Sequence, residues 1–126
     1  NLPWGRIGMT ICYDLRFPHL YRKLARKGAD FITVPSAFTK FTGEMHWHTL
    51  LKARAIETGC FIFAPAQFGN HPGKKQTYGH TLIIDPWGKI INECNKNNSV
   101  IISEINRKKV SIMRTSIPSL KLEKKF

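Results

Sequence analysis

The chain has 126 residues, 42% of them hydrophobic and 22% charged, which is typical of a folded domain and excludes a disordered segment. Its 20 Lys and Arg against 8 Asp and Glu give a net charge of +12, which attracts anions but names no partner. No apolar run approaches the ~20 residues that cross a bilayer, so we expect no membrane partner. The cysteines are three in number and widely spaced, at Cys12, Cys60 and Cys94. This pattern argues against a disulfide framework and a structural zinc site, and it favours a reducing, cytoplasmic setting.

The first predicted unit is a strand, a loop and a helix. Residues 6–12 (RIGMTIC) form a short apolar run with β-branched side chains, which favours a strand. Pro18 then opens a helix that closes at Gly28, because proline suits a first helical turn and glycine follows a last one. The apolar residues of this helix share one stripe, so its Arg and Lys residues are interpreted as a solvated face.

The second predicted unit is again a strand followed by a helix. Residues 31–34 are the strand, and residues 36–43 are a polar and aromatic loop. The helix covers residues 46–58, with Thr42 as its N-cap and Gly59 as its C-terminal glycine.

The next part of the chain predicts strands. Residues 60–66 form an apolar strand, and residues 67–76, rich in Gly, Pro and Lys, are predicted as a loop. Residues 80–93 are predicted as two strands joined by the turn Asp85-Pro86-Trp87-Gly88. Residues 99–105 (SVIISEI) add one more strand.

The last segment, residues 106–126, predicts a short amphipathic helix and then a mobile Lys-rich tail ending in Lys124-Lys125-Phe126. This order of helices and strands predicts an α/β protein with a mixed sheet. Three modest helices are too few to cover both faces of some six strands. We therefore expect further cover from other residues or from a second chain.

Cys12 is the first candidate for chemistry, because it ends a strand immediately before a turn and a helix start. Backbone N–H groups and nearby cations at such a position favour the thiolate, and the N–H of the next residue could face an oxyanion. The alternative is a buried structural cysteine, which is a common environment for a free thiol.

Three motifs occur in order along the chain, namely GRIGMTICYDLRFP, PSAFTKFTGEMHWHTLLKARAIE and YGHTLIIDPWGKII. Together they resemble the carbon–nitrogen hydrolase (nitrilase) superfamily and its Nit-type amidase branch, and the resemblance covers residues 2–104. It implies the C-terminal half of a four-layer αββα sandwich, with residues 1–105 as part of the hydrolase domain and residues 106–126 as a C-terminal helix and basic tail. It implies no cofactor.

The resemblance also assigns site residues. Cys12 matches the nucleophile that attacks an amide or nitrile carbon and forms a thioester, and Tyr13 matches the position whose backbone N–H faces the oxyanion. Arg16 matches an arginine that holds a substrate carboxylate, with a structural salt bridge as the alternative. Ser36 and Phe38 match the segment that lines the substrate pocket, with a loop and a packed aromatic as the alternative. Arg54 and Glu57 match positions that tie the helix to the sheet.

Two further catalytic residues of the family, a glutamate base and a lysine, lie well upstream of the cysteine, whereas eleven residues precede Cys12 here. The chain begins without an initiator Met, so we expect a trimmed or truncated start. A local triad from Lys40 and Glu44 is disfavoured, because both match the start of the second helix. His46 and His48 point to different helix faces, so no metal site is expected.

The main hypothesis is an amidase that acts on a small linear amide, such as an ω-amide or a deaminated glutathione-like compound, and forms a homo-oligomer when complete. The alternative is a catalytically inactive fragment or a split half that needs a partner chain with the Glu and Lys. A nucleic-acid-binding module is disfavoured, because the Lys and Arg are dispersed and no phosphate-binding motif accompanies them.

Overall fold

A five-stranded mixed sheet forms the centre of the fold in a computed structural model that describes residues 1–95, 99–122 and 124. The strands are β1 (Ile7–Met9), β2 (Phe31–Thr33), β3 (Phe61–Ala64), β4 (Phe68–His71), β5 (Lys75–Tyr78), β6 (Thr81–Ile84) and β7 (Ile90–Cys94). The sheet order is β1-β2-β3-β6-β7; β1, β2 and β3 are parallel, and the pairings of β6 with β3 and with β7 are antiparallel. The predicted α/β class with a mixed sheet is confirmed.

The first helix is confirmed as α1 (Pro18–Arg26), with proline in its first turn. Gly28 follows it with a φ of +89°, a conformation that side chains other than glycine rarely adopt. Tyr21 and Ala25 are its buried residues, so the helix packs on the sheet through the predicted apolar stripe.

The second helix begins earlier than predicted and contains a π-helical stretch. It comprises α2 (Lys40–Thr42), the π-helix Gly43–Trp47 and α3 (His48–Thr58). Thr42 as N-cap is wrong, because the Oγ1 of Thr39 accepts the hydrogen bond from the N–H of Thr42 at 3.4 Å. Glycine has a low helix propensity, so the sequence did not predict that Gly43 lies in a helix.

The predicted loop at residues 67–76 is wrong, because β4 and β5 form a two-stranded antiparallel hairpin there. Its turn is confined to Pro72–Lys74, where Gly73 has a φ of +74°. Polar residues occupy both strands, so the segment lacks the apolar alternation that identifies a strand in a sequence.

The predicted strand at residues 99–105 is also wrong, because that segment lies outside every described strand. Its side chains alternate in exposure from Val100 on, with Val100 and Ile102 86% and 83% exposed. The segment is held to β7 by the side chain of Asn92, whose Nδ2 donates to the Ile102 carbonyl at 3.0 Å. The β-branched residues thus predicted a strand, but they do not ensure a backbone ladder.

Buried residues lie on both faces of the sheet. On the face that α1 and α3 cover, the side chains of Ile32, Ile62 and Ile84 pack with Leu51 and Tyr21. On the other face the described core is smaller and holds Phe31, Phe61 and Val110, with residues such as Phe63 and Ile91 against it.

The predicted C-terminal helix is present as α4 (Lys108–Ser116), which buries Val110 and Met113. Its Arg114 donates to the carbonyls of Thr58 and Ala29 at 3.0 and 2.7 Å. Residues 123, 125 and 126 lie outside the described residues, so the mobile tail stays a prediction, as does the domain division at residue 105. Among the described helices, none has the length and apolarity to cross a membrane.

Candidate active site

Three chain segments meet at the carboxyl edge of the parallel strands. The N–H of Cys12, after β1, donates to the Pro35 carbonyl at 2.9 Å, and the N–H of Ser36, after β2, donates to the Pro65 carbonyl at 2.9 Å. The N–H of Gln67, after β3, returns a 2.9 Å hydrogen bond to Ser36. In open α/β sheets ligands bind outside this edge, so the predicted nucleophile and a predicted pocket residue lie where a site is expected.

Cys12 is the first residue of a short 3-10 helix, Cys12–Arg16, and its φ is +45°. A side chain other than glycine in this left-handed region carries backbone strain of about 1–3 kcal/mol, and such residues cluster at functional sites. The turn is braced by Asp14, whose Oδ2 accepts from the Ile11 N–H at 2.9 Å. Cys12 is half-buried, which differs from the fully buried environment of Cys60.

Arg16 ends the same 3-10 helix and is held by aromatic rings. Its guanidinium carbon lies 5.5 Å from the ring centre of Tyr13 and 5.4 Å from that of Phe38, distances typical of cation–π contacts. In the part of the chain that the structure describes, no carboxylate forms an ion pair with Arg16. The positive charge is thus not neutralised, and the salt-bridge alternative gains no support.

His46 is a site residue that sequence reasoning missed. Its Nδ1 lies 3.3 and 3.4 Å from the two terminal nitrogens of Arg16. Because guanidinium nitrogens only donate, Nδ1 is the acceptor in any hydrogen bond between these two groups. The two residues are 30 positions apart, and no local pattern connects them.

The other predicted site residues are Tyr13, Phe38 and Ser36, of which Tyr13 and Phe38 lie against Arg16. Tyr13 is 66% exposed, and its ring lies 5.8 Å from that of Phe17. Phe38 is buried and packs on Trp47 with ring centres 4.9 Å apart, so it forms a fixed wall beside Arg16. Ser36 is half-buried, and its hydroxyl donates to the Val34 carbonyl at 3.3 Å.

Arg54 connects α3 to the segment that carries Cys12. The residue is 6% exposed, its Nε donates to the Leu15 carbonyl at 3.0 Å, and its Nη1 lies 3.0 Å from Glu57 Oε1. Burial raises the pKa of the Glu57 carboxyl, and this effect outweighs the opposing effect of Arg54. Arg54 thus ties α3 to the 3-10 helix that carries Cys12, whereas the resemblance implied a tie between α3 and the sheet.

A second polar cluster joins His48, His80 and Glu93. The Oε1 of Glu93 lies 3.0 Å from His48 Nε2 and 2.6 Å from His80 Nδ1, so one oxygen accepts from two imidazoles. Partial burial by itself raises the pKa of Glu93, but the hydrogen bonds and charge of both histidines outweigh it and hold the pKa below its ordinary value. These residue types could also hold a metal ion, and sequence reasoning did not bring them together.

Lys40 and Glu44, the disfavoured local triad, line a cleft beside this cluster with Tyr78 and Glu93. Lys40 lies in α2 and Glu44 in the π-helix. No described contact brings either of them to Cys12, and they stay disfavoured as its partners.

Comparison with known proteins gives a consistent result. Residues 1–115 match the family model described as carbon-nitrogen hydrolase. The chain is 50% identical to a deaminated glutathione amidase of Synechocystis, in a match that covers 93% of this chain and 43% of the relative. It is 43% identical to the deaminated glutathione amidase of Homo sapiens, in a match that covers 94% of this chain and 36% of the relative. The solved C. elegans NitFhit protein superposes with a TM-score of 0.92 at 43% identity, over 96% of this chain and 29% of that one. The chain thus spans about two fifths of the length of the curated relatives.

Proposed function

Since this chain belongs to the carbon–nitrogen hydrolase family, we propose that it carries the nucleophile and a substrate-binding wall of an amidase active site. The observation that carries the proposal is the placement of Cys12 in a left-handed conformation at the carboxyl edge, in the same 3-10 helix as the unneutralised Arg16. A nucleophile and an anion-binding group are thereby fixed four residues apart on one rigid turn.

The proposed reaction begins with attack of the Cys12 sulfur on the amide carbon. The carbonyl oxygen becomes an oxyanion, to which the Tyr13 backbone N–H donates, and collapse of this intermediate breaks the C–N bond. The amine leaves with a proton, and the acyl group stays on Cys12 as a thioester. Water then attacks the thioester, which releases the carboxylic acid and restores the thiol. The family resemblance implies a glutamate base and a lysine, which we propose are supplied from outside these 126 residues.

Arg16 favours an amide that bears a carboxylate on its acyl part. A planar guanidinium suits a carboxylate because two parallel N–H groups can donate to its two oxygens. Glutathione without its amino group still carries such a carboxylate, and the relatives described above are named for hydrolysis of that compound. We therefore propose deaminated glutathione or a closely related ω-amide as substrate. The amidase relatives support this activity over a catalytically inactive fragment.

We propose the cellular compartment and the oligomeric state from the cysteines and the exposed apolar side chains. Cys12 and Cys60 are free thiols, which is compatible with a reducing cytoplasm. Met9, Ile11 and other apolar side chains next to the proposed site are exposed, so a homo-oligomer that covers them is our expectation for the active protein.

Replacement of Cys12 by alanine tests the proposed activity. In the catalytically active protein, Cys12→Ala is expected to abolish hydrolysis of the amide and to leave the circular dichroism spectrum unchanged. Iodoacetamide is expected to label Cys12 in the unmodified protein and to inactivate it, as measured by peptide mass spectrometry and residual activity.

The matched control is Cys94→Ala, which removes a half-buried thiol on β7, at the opposite side of the sheet from β1, the strand that leads to Cys12. This variant is expected to keep full activity. Retained turnover in Cys12→Ala would refute the proposed role of the cysteine.

A further inference from the structure

A second cleft opens beside the proposed site and is lined by basic side chains. It has a volume of about 570 Å³, large enough for a dipeptide-sized group. The groups that could contact a ligand there include Lys40, Gln67, His71, Lys74 and Lys75. Among the described residues that line it, none is acidic, so the cleft offers positive charge without a competing carboxylate.

The cleft is attached to the carboxyl edge through backbone contacts. The hairpin β4–β5 begins one residue after Gln67, which is hydrogen-bonded to Ser36. Its second strand returns against the loop after β2, with a bridge between Thr39 and Thr77 and a 3.0 Å hydrogen bond from the Tyr78 N–H to the Phe38 carbonyl. Since Phe38 also contacts Arg16, the basic cleft and the proposed carboxylate site lie on two sides of one loop.

The hairpin has a defined shape. The Nε2 of His71 lies 2.8 Å from the Thr77 hydroxyl, and the Nε2 of Gln76 donates to Asn70 Oδ1 at 2.8 Å. Its turn places Gly73 and then Lys74 in the left-handed region, with a φ of +59° for Lys74. This φ is one that residues other than glycine rarely adopt, and the turn places the exposed Lys74 at the border of the cleft.

Hydrolysis of an amide requires space for two groups, the acyl part and the leaving amine. Arg16 is assigned above to a charge on the acyl part. The departing amine therefore needs a separate space, and the basic cleft, which Gln67 lines next to Ser36, is the space we assign to it. We propose that Lys74 and Lys75, with Lys40 across the cleft, form an anion subsite for a carboxylate on the leaving amine. This inference rests on the proposed function and extends it, because it assigns residues to the carboxylate that deaminated glutathione carries on its leaving amine.

Two substrates that differ in one group test the subsite. Both have the same carboxylate-bearing acyl part; one leaving amine ends in a carboxylate and the other in the neutral carboxamide. The catalytically active protein is expected to hydrolyse the first with a kcat/KM about five to ten times higher, since exposed lysines each contribute a modest attraction. The preference is expected to fall as salt screens the exposed charges.

The double variant Lys74→Gln/Lys75→Gln is expected to lose this preference while the carboxamide substrate keeps its kcat/KM. The matched control Lys23→Gln/Lys27→Gln removes two exposed lysines that do not line the cleft, one on α1 and one immediately after it, and is expected to keep the preference. In Lys74→Glu/Lys75→Glu the preference is expected to reverse toward a leaving amine that carries an ammonium group.

The experiments distinguish failure of the anion subsite from failure of the proposed amidase function. Equal kcat/KM for the two substrates, or an unchanged preference in the lysine variants, would overturn the subsite and leave the amidase intact. Absence of hydrolysis of every amide, or full activity in Cys12→Ala, would overturn the proposed function and the subsite with it.

Discussion

Arg16 carries a positive charge that no carboxylate neutralises within the described part of the chain. Its guanidinium carbon lies over the rings of Tyr13 and Phe38, and an anion would bind at the guanidinium N–H groups. The terminal nitrogens also lie 3.3 and 3.4 Å from His46 Nδ1, a contact that orients the guanidinium. His46 is therefore expected to be a positioning residue for Arg16.

Substitution of His46 tests this role. His46→Ala is expected to raise KM about fivefold for an amide with a carboxylate on its acyl part, and to change kcat little, because binding and not bond cleavage is impaired. An amide without that carboxylate is expected to show no change in KM. Steady-state kinetics with both substrates in the active protein measures the difference.

His46→Asn is expected to recover most of the lost affinity, since the amide oxygen of asparagine also accepts from a guanidinium. The exposed histidine His19 on α1 supplies the control, and His19→Ala is expected to behave as the unmodified protein. Equal loss for both substrates in His46→Ala would indicate a structural role and contradict the positioning role.

The site was predictable from the sequence in part. The resemblance identified Cys12 and Arg16 because they lie in one short motif, and the structure places both on a single 3-10 helix. From the sequence, His46 and His48 are considered only as metal ligands, whereas the structure gives them the separate partners Arg16 and Glu93. These contacts join segments 30 and 45 residues apart, and periodicity within one helix carries no information on them.

The π-helix Gly43–Trp47 is the element that sets the position of His46. A π-helix inserts one residue into a helical turn and rotates the residues that follow it, which is why such stretches are frequent at functional sites. Gly43 begins this stretch and lies against the side chain of Tyr78 on β5, which occupies the space that a Cβ would need. The absence of a side chain at Gly43 therefore lets the helix and the hairpin pack closely.

Gly43→Ala is expected to separate these two elements. An added methyl group overlaps the Tyr78 side chain, and such overpacking costs about 1–3 kcal/mol of unfolding free energy, which outweighs the gain in helix propensity. Urea denaturation measures the loss at a common protein concentration. The shift of the helix is also expected to raise KM for the carboxylate-bearing amide, through displacement of His46.

The control for this substitution is Thr49→Ala, an exposed position on the adjoining helix α3. It is expected to change the free energy of unfolding by less than about 0.5 kcal/mol. An unchanged or increased stability in Gly43→Ala would contradict the close packing of Gly43 against Tyr78.

Elements with a strong apolar signal were predictable, and elements held by polar contacts were not. β2 and β3 are apolar runs between turn residues, and both formed where the sequence placed them. The hairpin β4–β5 was missed because its strands are polar and its pairing depends on backbone hydrogen bonds that no residue type encodes. Residues 99–105 had the alternation of a strand but lack a backbone partner among the described strands.

The sheet exposes apolar side chains at both of its edges. Met9, at the end of the edge strand β1, is 80% exposed, and Val100 and Ile102, which lie beside β7, are 86% and 83% exposed. Side chains of this kind favour association when several occur together, and a strand edge also offers backbone groups to another chain. The 126-residue chain by itself is therefore expected to associate with other copies.

Analytical ultracentrifugation of the 126-residue chain tests this expectation. The mean mass is expected to rise above 14.5 kDa as the protein concentration increases, with binding of a hydrophobic dye. The double variant Met9→Lys/Ile102→Lys is expected to shift the chain toward the monomer, because each lysine adds charge and removes apolar area at one edge of the sheet. Ile112→Lys, at an exposed position of α4, is the control and is expected to associate as the unmodified chain does. A monomer with cooperative unfolding at every concentration would show that the exposed edges are tolerated in water, and that the chain needs no further cover to be stable.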